Sequence, residues 1–336
     1  MIYKNIIRPL LFSLNPEKAH KLYELFVEYL PFVFLPLRNR PSKNPGIKKR
    51  VSGINVPNRV GLAAGFDKDG KIFHSVGSFG FGYVIVGTVT LDAKEGNPKP
   101  RFRRLSQYQA LVNSMGFPND GVDKVVQRIR SHSSKLPDTA VVVSISGVTV
   151  NDICECLKLV EPVCDAVELN LSSPNTTGIK VFHQKENFYK LLEELNQLRT
   201  KPLWVKLPSY GNVEVKGLHG EAYDKSKELV LDLARFSVEF EVDALTVGNS
   251  RSVKDSHMAT GFGGLSGKLL IEDTIVMIKD IRKQFGDLIP VNGCGGIFNA
   301  GDAERVIKAG ATTVQIYSGL IYEGPGVAKR ISKSIG

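Results

Sequence analysis

The side chains best placed to do chemistry in this 336-residue chain are two lysines, four amides and three hydroxyls, each following or bordering a short apolar run. Lys68 and Lys206 are the cations; Asn113, Asn170, Asn175 and Asn249 are the amides; Thr88, Ser173 and Ser250 carry the hydroxyls. Several fixed amides around one pocket suit a flat ligand with carbonyl and N–H edges. Two ammonium groups beside them suit a carboxylate or a reduced, anionic ring. Each residue also has a plainer structural reading. An Asn in a Gly/Pro turn stabilises that turn, a lysine after a strand sits on the surface, and Ser172-Ser-Pro174 ends a strand. Cys154, Cys156 and Cys164 lack a second paired set, so packing explains them better than a metal. His20, His74, His132, His183, His219 and His257 all fall away from the expected strand ends, and none is expected to be a catalytic base. No metal-spaced cluster and no Ser-His-Asp arrangement marks those ends, which argues against metal-assisted or triad hydrolysis.

These residues need a frame that brings them to one place. After residue 50 the chain repeats a short apolar run, a Gly/Ser/Asn-rich turn and a helical stretch. The runs are Val60–Ala64, Tyr83–Gly87, Ala140–Ile145, Ala166–Leu171, Leu203–Leu207, Ala244–Val247, Ile289–Asn292 and Thr313–Tyr317. Near-continuous rather than alternating apolar strands indicate a parallel sheet covered by helices. Eight of them predict an α/β fold, a (β/α)8 TIM barrel, with the chemistry where the strands end. A doubly wound open sheet fits less well, because the first turn, Gly61-Leu-Ala-Ala-Gly65, lacks the dinucleotide-binding spacing. The long interval holding Gly96–Pro118 reads as an excursion over the barrel mouth. Gly293-Cys-Gly-Gly296 and Ser318-Gly319 follow strands seven and eight, where backbone amides of such barrels cradle phosphates.

The net charge of +10 is uneven: residues 1–60 carry +8 and the remainder +2. A basic end on a near-neutral body points to a membrane surface rather than nucleic acid. Asn15-Pro-Glu17 reads as a helix start, and Ala19, Leu22, Tyr23, Leu25, Phe26, Tyr29 and Leu30 form a broad apolar stripe after it. Two short amphipathic helices with a break at Pro31 are expected, followed by Arg38, Arg40, Lys43, Lys48, Lys49 and Arg50. They either pack on the main domain or lie in a lipid interface with their basic rim on headgroups. No apolar run reaches the ~18 residues of a spanning helix. Four cysteines make no disulfide framework and no secretory or transit segment is visible, so a reducing setting is expected. With 42% hydrophobic and 23% charged residues, wholesale disorder is excluded.

Five stretches carry a family resemblance: Gly61-Leu-Ala-Ala-Gly-Phe-Asp-Lys-Asp-Gly70, Asn113-Ser-Met-Gly-Phe-Pro-Asn119, Asn170-Leu-Ser-Ser-Pro-Asn-Thr176, Gly263-Gly-Leu-Ser-Gly267 and Gln315-Ile-Tyr-Ser-Gly319. Together they resemble the dihydroorotate dehydrogenases, flavin enzymes of pyrimidine synthesis, over most of the chain. Asn15-Pro-Glu-Lys-Ala-His20 and the serine at position 173 resemble the membrane-associated, quinone-using class 2. The resemblance implies residues 1–45 as a helical segment for membrane and quinone access and residues 46–336 as an FMN-binding barrel. It implies that Gly267, Gly295, Gly296, Tyr317 and Ser318 hold the FMN phosphate, while Ala64, Gly65, Lys68, Thr88, Ser144, Asn170 and Lys206 meet the ring or ribityl chain. It places dihydroorotate against Lys68, Asn113, Ser114, Met115, Gly116, Phe117, Asn170, Asn175, Asn249 and Ser250. Ser173 would take the C5 proton while C6 gives hydride to the flavin, with Lys68 and Lys206 stabilising charge. A membrane quinone would enter between the N-terminal helices. A monomer is expected, peripheral on the cytoplasmic side of the membrane through residues 1–50, with no nucleic-acid partner.

The pattern departs from class 2 in two places. Ser144-Ile-Ser-Gly-Val-Thr149 stands where that class has Asn-Ile-Gly-Lys-Asn-Lys, and Gly248-Asn-Ser-Arg251 where it has Thr-Asn-Thr-Thr. The alternatives are a soluble-type FMN dihydroorotate or dihydropyrimidine enzyme with another acceptor, and a non-redox membrane-associated relative that has lost its flavin.

Overall fold

The computed structural model describes residues 2–30, 49–132, 139–173, 178–210 and 223–336. In chain order the elements are α1 (Arg8–Ser13), α2 (Pro16–Tyr29), β1 (Lys49–Val51), β2 (Ile54–Val56), β3 (Val60–Asp67), α3 (Phe73–Gly77), β4 (Tyr83–Val89), β5 (Phe102–Leu105), β6 (Ala110–Asn113), α4 (Val122–His132), β7 (Ala140–Ile145), α5 (Val150–Val160), β8 (Ala166–Asn170), α6 (Lys185–Leu198), β9 (Leu203–Lys206), α7 (Tyr223–Glu239), β10 (Ala244–Val247), β11 (Arg251–Lys254), β12 (Phe262–Gly267), α8 (Ile271–Phe285), β13 (Val291–Cys294), α9 (Ala300–Lys308), β14 (Thr313–Ile316), α10 (Ser318–Glu323) and α11 (Val327–Ile335).

Eight strands close a parallel barrel in the order β10-β13-β14-β3-β4-β7-β8-β9. All eight expected runs are barrel strands, and closure excludes the open doubly wound sheet. The seventh begins at Val291, two residues later than expected. Pro290 cannot donate to a ladder, although its carbonyl accepts from the Leu245 amide at 2.9 Å. Outward residues of the strands, such as Val143, Leu169 and Val314, merge with the helices in one large apolar cluster. Inward residues fill the barrel in layers. At its N-terminal end Ile54 and Val56 of β2 pack with Tyr83, Ala140, Ala166, Trp204 and Ala244. Trp204 Nε1 donates to the Ser52 carbonyl at 2.7 Å, and Ser52 Oγ donates to Asn292 Oδ1 at 2.8 Å. The β1–β2 hairpin thus seals the barrel floor.

At the other end stands a second sheet, antiparallel, in the order β11-β12-β6-β5. The excursion expected over Gly96–Pro118 supplies β5 and β6, and the chain after β10 supplies β11 and β12. Gly264 opposes Asn113 in this sheet. A Cβ at the neighbouring Gly263 would lie 2.5 Å from Val112 Cγ1, so the close approach of β12 to β6 requires glycine there.

The N-terminal helices dock beside this mouth. Asn15 caps α2 as expected, accepting from the Glu17 amide at 3.0 Å. The break between helices falls at Leu14 and Asn15. The expected break at Pro31, the run Phe32–Leu37 and the basic residues Arg38, Arg40, Lys43 and Lys48 lie outside the described residues. Arg104 donates to the carbonyls of Leu11, Phe12 and Leu14, Arg101 pairs with Glu17 at 2.8 Å, and Tyr3 donates to the Ile321 carbonyl at 2.6 Å. On α2 the structure separates two faces of what reads as one stripe, and adds Val27 to the inner one. Ala19 and Val27 are buried against the barrel, whereas Leu22, Leu25, Phe26 and Tyr29 are exposed. No helix among the described residues is long and apolar enough to cross a membrane.

Candidate active site at the barrel mouth

The first strand tip is built by a buried carboxylate. Asp67, 1% exposed, accepts hydrogen bonds from the amides of Lys71, Ile72 and Phe73 at 3.0, 2.8 and 2.6 Å. Burial raises its carboxyl above the usual range, and these amides oppose that rise. The loop it folds holds Lys68, whose Nζ donates to the Gly65 carbonyl at 2.7 Å. Burial lowers the Lys68 ammonium, and the charges of Glu24, Asp69 and Asp67 oppose that fall.

A chain of hydrogen bonds links five further tips. Thr88 Oγ1 and Ser144 Oγ lie 3.0 Å apart; Asn170 Nδ2 donates to Thr88 Oγ1 at 2.8 Å; Ser172 Oγ donates to Asn170 Oδ1 at 2.7 Å. Asn249 Nδ2 then donates to Ser172 Oγ at 2.7 Å, and the Asn249 amide to Ser209 Oγ at 2.7 Å. Buried amides so tethered present fixed edges to a ligand at no further ordering cost.

Lys206 ends β9 with only 4% exposure. Its Nζ lies 4.0 Å from Oε1 of Glu168, a fully buried carboxylate inside the barrel. Across the mouth, Gly267, Gly295 and Gly296 adopt φ of +112°, +131° and +75°. A Cβ at Gly296 would stand 2.3 Å from the Ile271 amide nitrogen, and one at Gly267 2.4 Å from the Gln109 carbonyl. Backbone this close to backbone, with Ser266 and Ser318 hydroxyls 3.4 Å apart beside it, makes a cradle that fits a phosphate group.

These parts surround one cleft at the barrel mouth. Ala64, Gly65, Lys68, Thr88, Asn170, Lys206, Gly267, Gly295, Gly296, Tyr317 and Ser318 all line it. So do Asn113, Met115, Gly116, Phe117, Ser173, Asn249 and Ser250. Ser114 and Ser144 do not. Ser114 Oγ lies 2.7 Å from Thr260 Oγ1 and braces the loop, and Ser144 stands one residue behind the wall, on Thr88. Asn175 lies outside the described residues. His183, 2.8 Å from the Leu171 carbonyl, and His257, against Asp255, are likewise absent from the lining. The four cysteines are buried and free. The sequence reading missed Ser172 and Ser209, whose roles depend on tertiary contacts, and Glu168. The one available signal for Glu168 was a lone acid in an otherwise apolar strand. Gly248 is explained by packing: at φ +99° a Cβ would sit 1.9 Å from the Cys294 carbonyl oxygen.

A second cleft opens between the N-terminal helices and the mouth. Leu11, Phe12, Ala19, His20, Tyr23 and Glu24 form its helical side. Phe66 contacts His20, Tyr23 and Tyr317 edge-on, with centroids 5.5–5.8 Å apart. Lys68, Phe102, Met115 and Tyr317 line both clefts and form the wall between them.

A closed parallel barrel that carries a glycine-built phosphate cradle, strand-tip lysines and an amide ring at its mouth defines a (β/α)8 barrel enzyme for a flat, phosphate-bearing group. Residues 47–336 match the family described as dihydroorotate dehydrogenase, and the chain belongs to that family. It is 34% identical to the dihydroorotate dehydrogenase (quinone) of Psychromonas ingrahamii, covering 99% of this chain and 100% of that protein. It is 35% identical to the protein of the same description from Idiomarina loihiensis, covering 97% and 98%. Among solved structures it resembles the DHODH of Eimeria tenella in complex with ferulenol, with a TM-score of 0.79 at 27% identity, covering 97% of this chain and 93% of that one.

Proposed function

We propose that the chain oxidises dihydroorotate to orotate at the barrel mouth and passes the two electrons to a membrane quinone in the adjoining cleft. The observation that carries this reading is the pair of clefts sharing Lys68, Phe102, Met115 and Tyr317 as a common wall, one ringed by the strand-tip amides and one bounded by the N-terminal helices. FMN, when bound, supplies the hydride acceptor and the two-electron carrier between them. The cradle of Gly267, Gly295, Gly296, Tyr317 and Ser318 would hold its phosphate; Ala64, Gly65, Thr88, Asn170 and Lys206 would meet the rest.

Asn113, Asn249, Ser250 and Lys68 would orient the substrate, with Asn175 as a further candidate. Lys68 offers its ammonium to the carboxylate. Ser173 lines the cleft at the end of β8 and would take the C5 proton while C6 loses hydride, so the substrate gives up two electrons and two protons. An unperturbed serine is a weak base, so orientation must supply much of the rate. Lys206 would stabilise negative charge that develops beside it. The quinone takes up two electrons and two protons to become a quinol. We read residues 1–45 as the segment that admits it. The exposed face of Leu22, Leu25, Phe26 and Tyr29 supports docking in the lipid interface, with the basic residues that follow it in the sequence on headgroups. Ser144 supports the site through Thr88.

The visible spectrum tests the reading. Purified protein should be yellow, bleach on adding dihydroorotate, and regain colour with a quinone in lipid. A preparation that takes up no FMN, or that bleaches but is reoxidised by fumarate or NAD rather than quinone, overturns it.

A further inference from the structure

Inside the barrel lies a carboxylate that the proposed chemistry does not use. Along β8 the inward positions are Ala166, which joins the floor layer, Glu168, and Asn170, which lines the cleft. Glu168 is fully buried. Its Oε2 accepts from Thr246 Oγ1 at 2.7 Å, and Thr246 accepts in turn from Gln315 Nε2 at 3.3 Å. Its Oε1 has no hydrogen-bond partner and faces Lys206 Nζ at 4.0 Å. Burying a charge with so few donors is costly, and an apolar side chain would fill this layer without that cost. The other titratable neighbours are neutral by comparison. Burial pushes up both the Cys294 thiol on β13 and the Tyr83 phenol on β4. Among the described residues, then, Glu168 is the negative charge against which Lys206 is set.

We propose that Glu168 is a positioning residue for Lys206. Its tethered carboxylate holds the ammonium at the cleft floor and partly cancels its charge, setting how strongly the site favours a reduced, anionic ring. The proposal rests on the flavin reading above. It makes a signed prediction, because charge balance at the floor acts on the flavin's midpoint potential. In Glu168→Gln holoenzyme the potential should rise, with the oxidised-to-reduced ratio at a fixed potential falling about tenfold, ~30 mV for a two-electron couple. Reduction by dihydroorotate should then speed up and reoxidation by quinone slow down. A purely structural defect would slow both. Glu168→Asp keeps the charge and should return the potential towards wild type. Thr246→Val keeps the charge but frees it to close on Lys206, and should move the potential downwards.

Spectroelectrochemical titration of the four holoenzymes, with stopped-flow of each half-reaction, decides the matter. An unmoved or lowered potential in Glu168→Gln, or equal slowing of both halves, overturns the proposal. If that variant does not fold or hold FMN, an unmoved potential in Thr246→Val overturns it instead. A wild type that bleaches with dihydroorotate while the variants stay unmoved overturns this proposal alone; a wild type that takes up no FMN overturns the function reading with it.

Discussion

Ser173 and Gly296 set the sharpest expectations for single side chains. Ser173→Ala removes the candidate base and should lower the rate of flavin reduction by dihydroorotate by roughly 10²–10⁴-fold while FMN stays bound. Rapid-mixing spectroscopy reads this directly, and an unchanged bleaching rate would remove Ser173 from the role. Gly296→Ala acts on the cradle. Its φ of +75° and the Ile271 amide 2.3 Å from a built Cβ leave a methyl nowhere to go. Strain of about 1–3 kcal/mol is expected, with weakened FMN retention on gel filtration as the observable. Much of this scale was legible in the chain. A lysine after β3 and another ending β9 stood out because apolar runs led into them. Ser172 and Ser209 did not, because their importance lies in bonds to Asn170 and Asn249 that only the closed barrel creates.

At the scale of elements, α2 carries two duties on one short helix. Ala19, Tyr23 and Val27 recur every four residues and face the barrel, while Leu22, Leu25 and Phe26 face outwards. A single apolar stripe read from sequence merges the two, which is why its docking was ambiguous. Leu25→Glu with Phe26→Glu should abolish co-sedimentation with anionic vesicles and leave dihydroorotate-driven bleaching intact; retained vesicle binding counts against the lipid-facing reading. The inward face also titrates. Burial pushes the Glu24 carboxyl up, but the His20 hydrogen bond and the charges of His20, Lys68 and Lys71 outweigh it and hold the group below its ordinary value. A carboxyl depressed in the folded state binds fewer protons there than in the unfolded chain. Its contribution is therefore present above the usual carboxylate range and lost as pH falls through it. Protection of the α2 amides against hydrogen exchange should fall as the solution is acidified below the ordinary glutamate range, and Glu24→Gln should flatten that dependence. The second sheet was the least legible element: Gly263–Gly267 reads as a loop until Asn113 and Leu111 are there to pair with it.

For the whole molecule, the eight apolar runs were enough to specify the barrel, since a parallel strand buried on both faces leaves an unmistakable pattern. What they could not specify was the second cleft, which exists only where α1 and α2 lean on Arg101, Arg104 and the barrel tips. With separate clefts on either side of Lys68, Phe102, Met115 and Tyr317, the two reactants need not exclude each other. A quinone analogue should lower turnover without raising the KM for dihydroorotate, and strict competition between them would contradict the two-cleft arrangement.

The hairpin under Trp204 and Asn292 has its own consequence. A cup stoppered at its base can be served only from the rim, and here the rim holds two clefts divided by one thin wall. Two reactants can then come and go by separate doors, and neither has to wait for the other to clear the only way in.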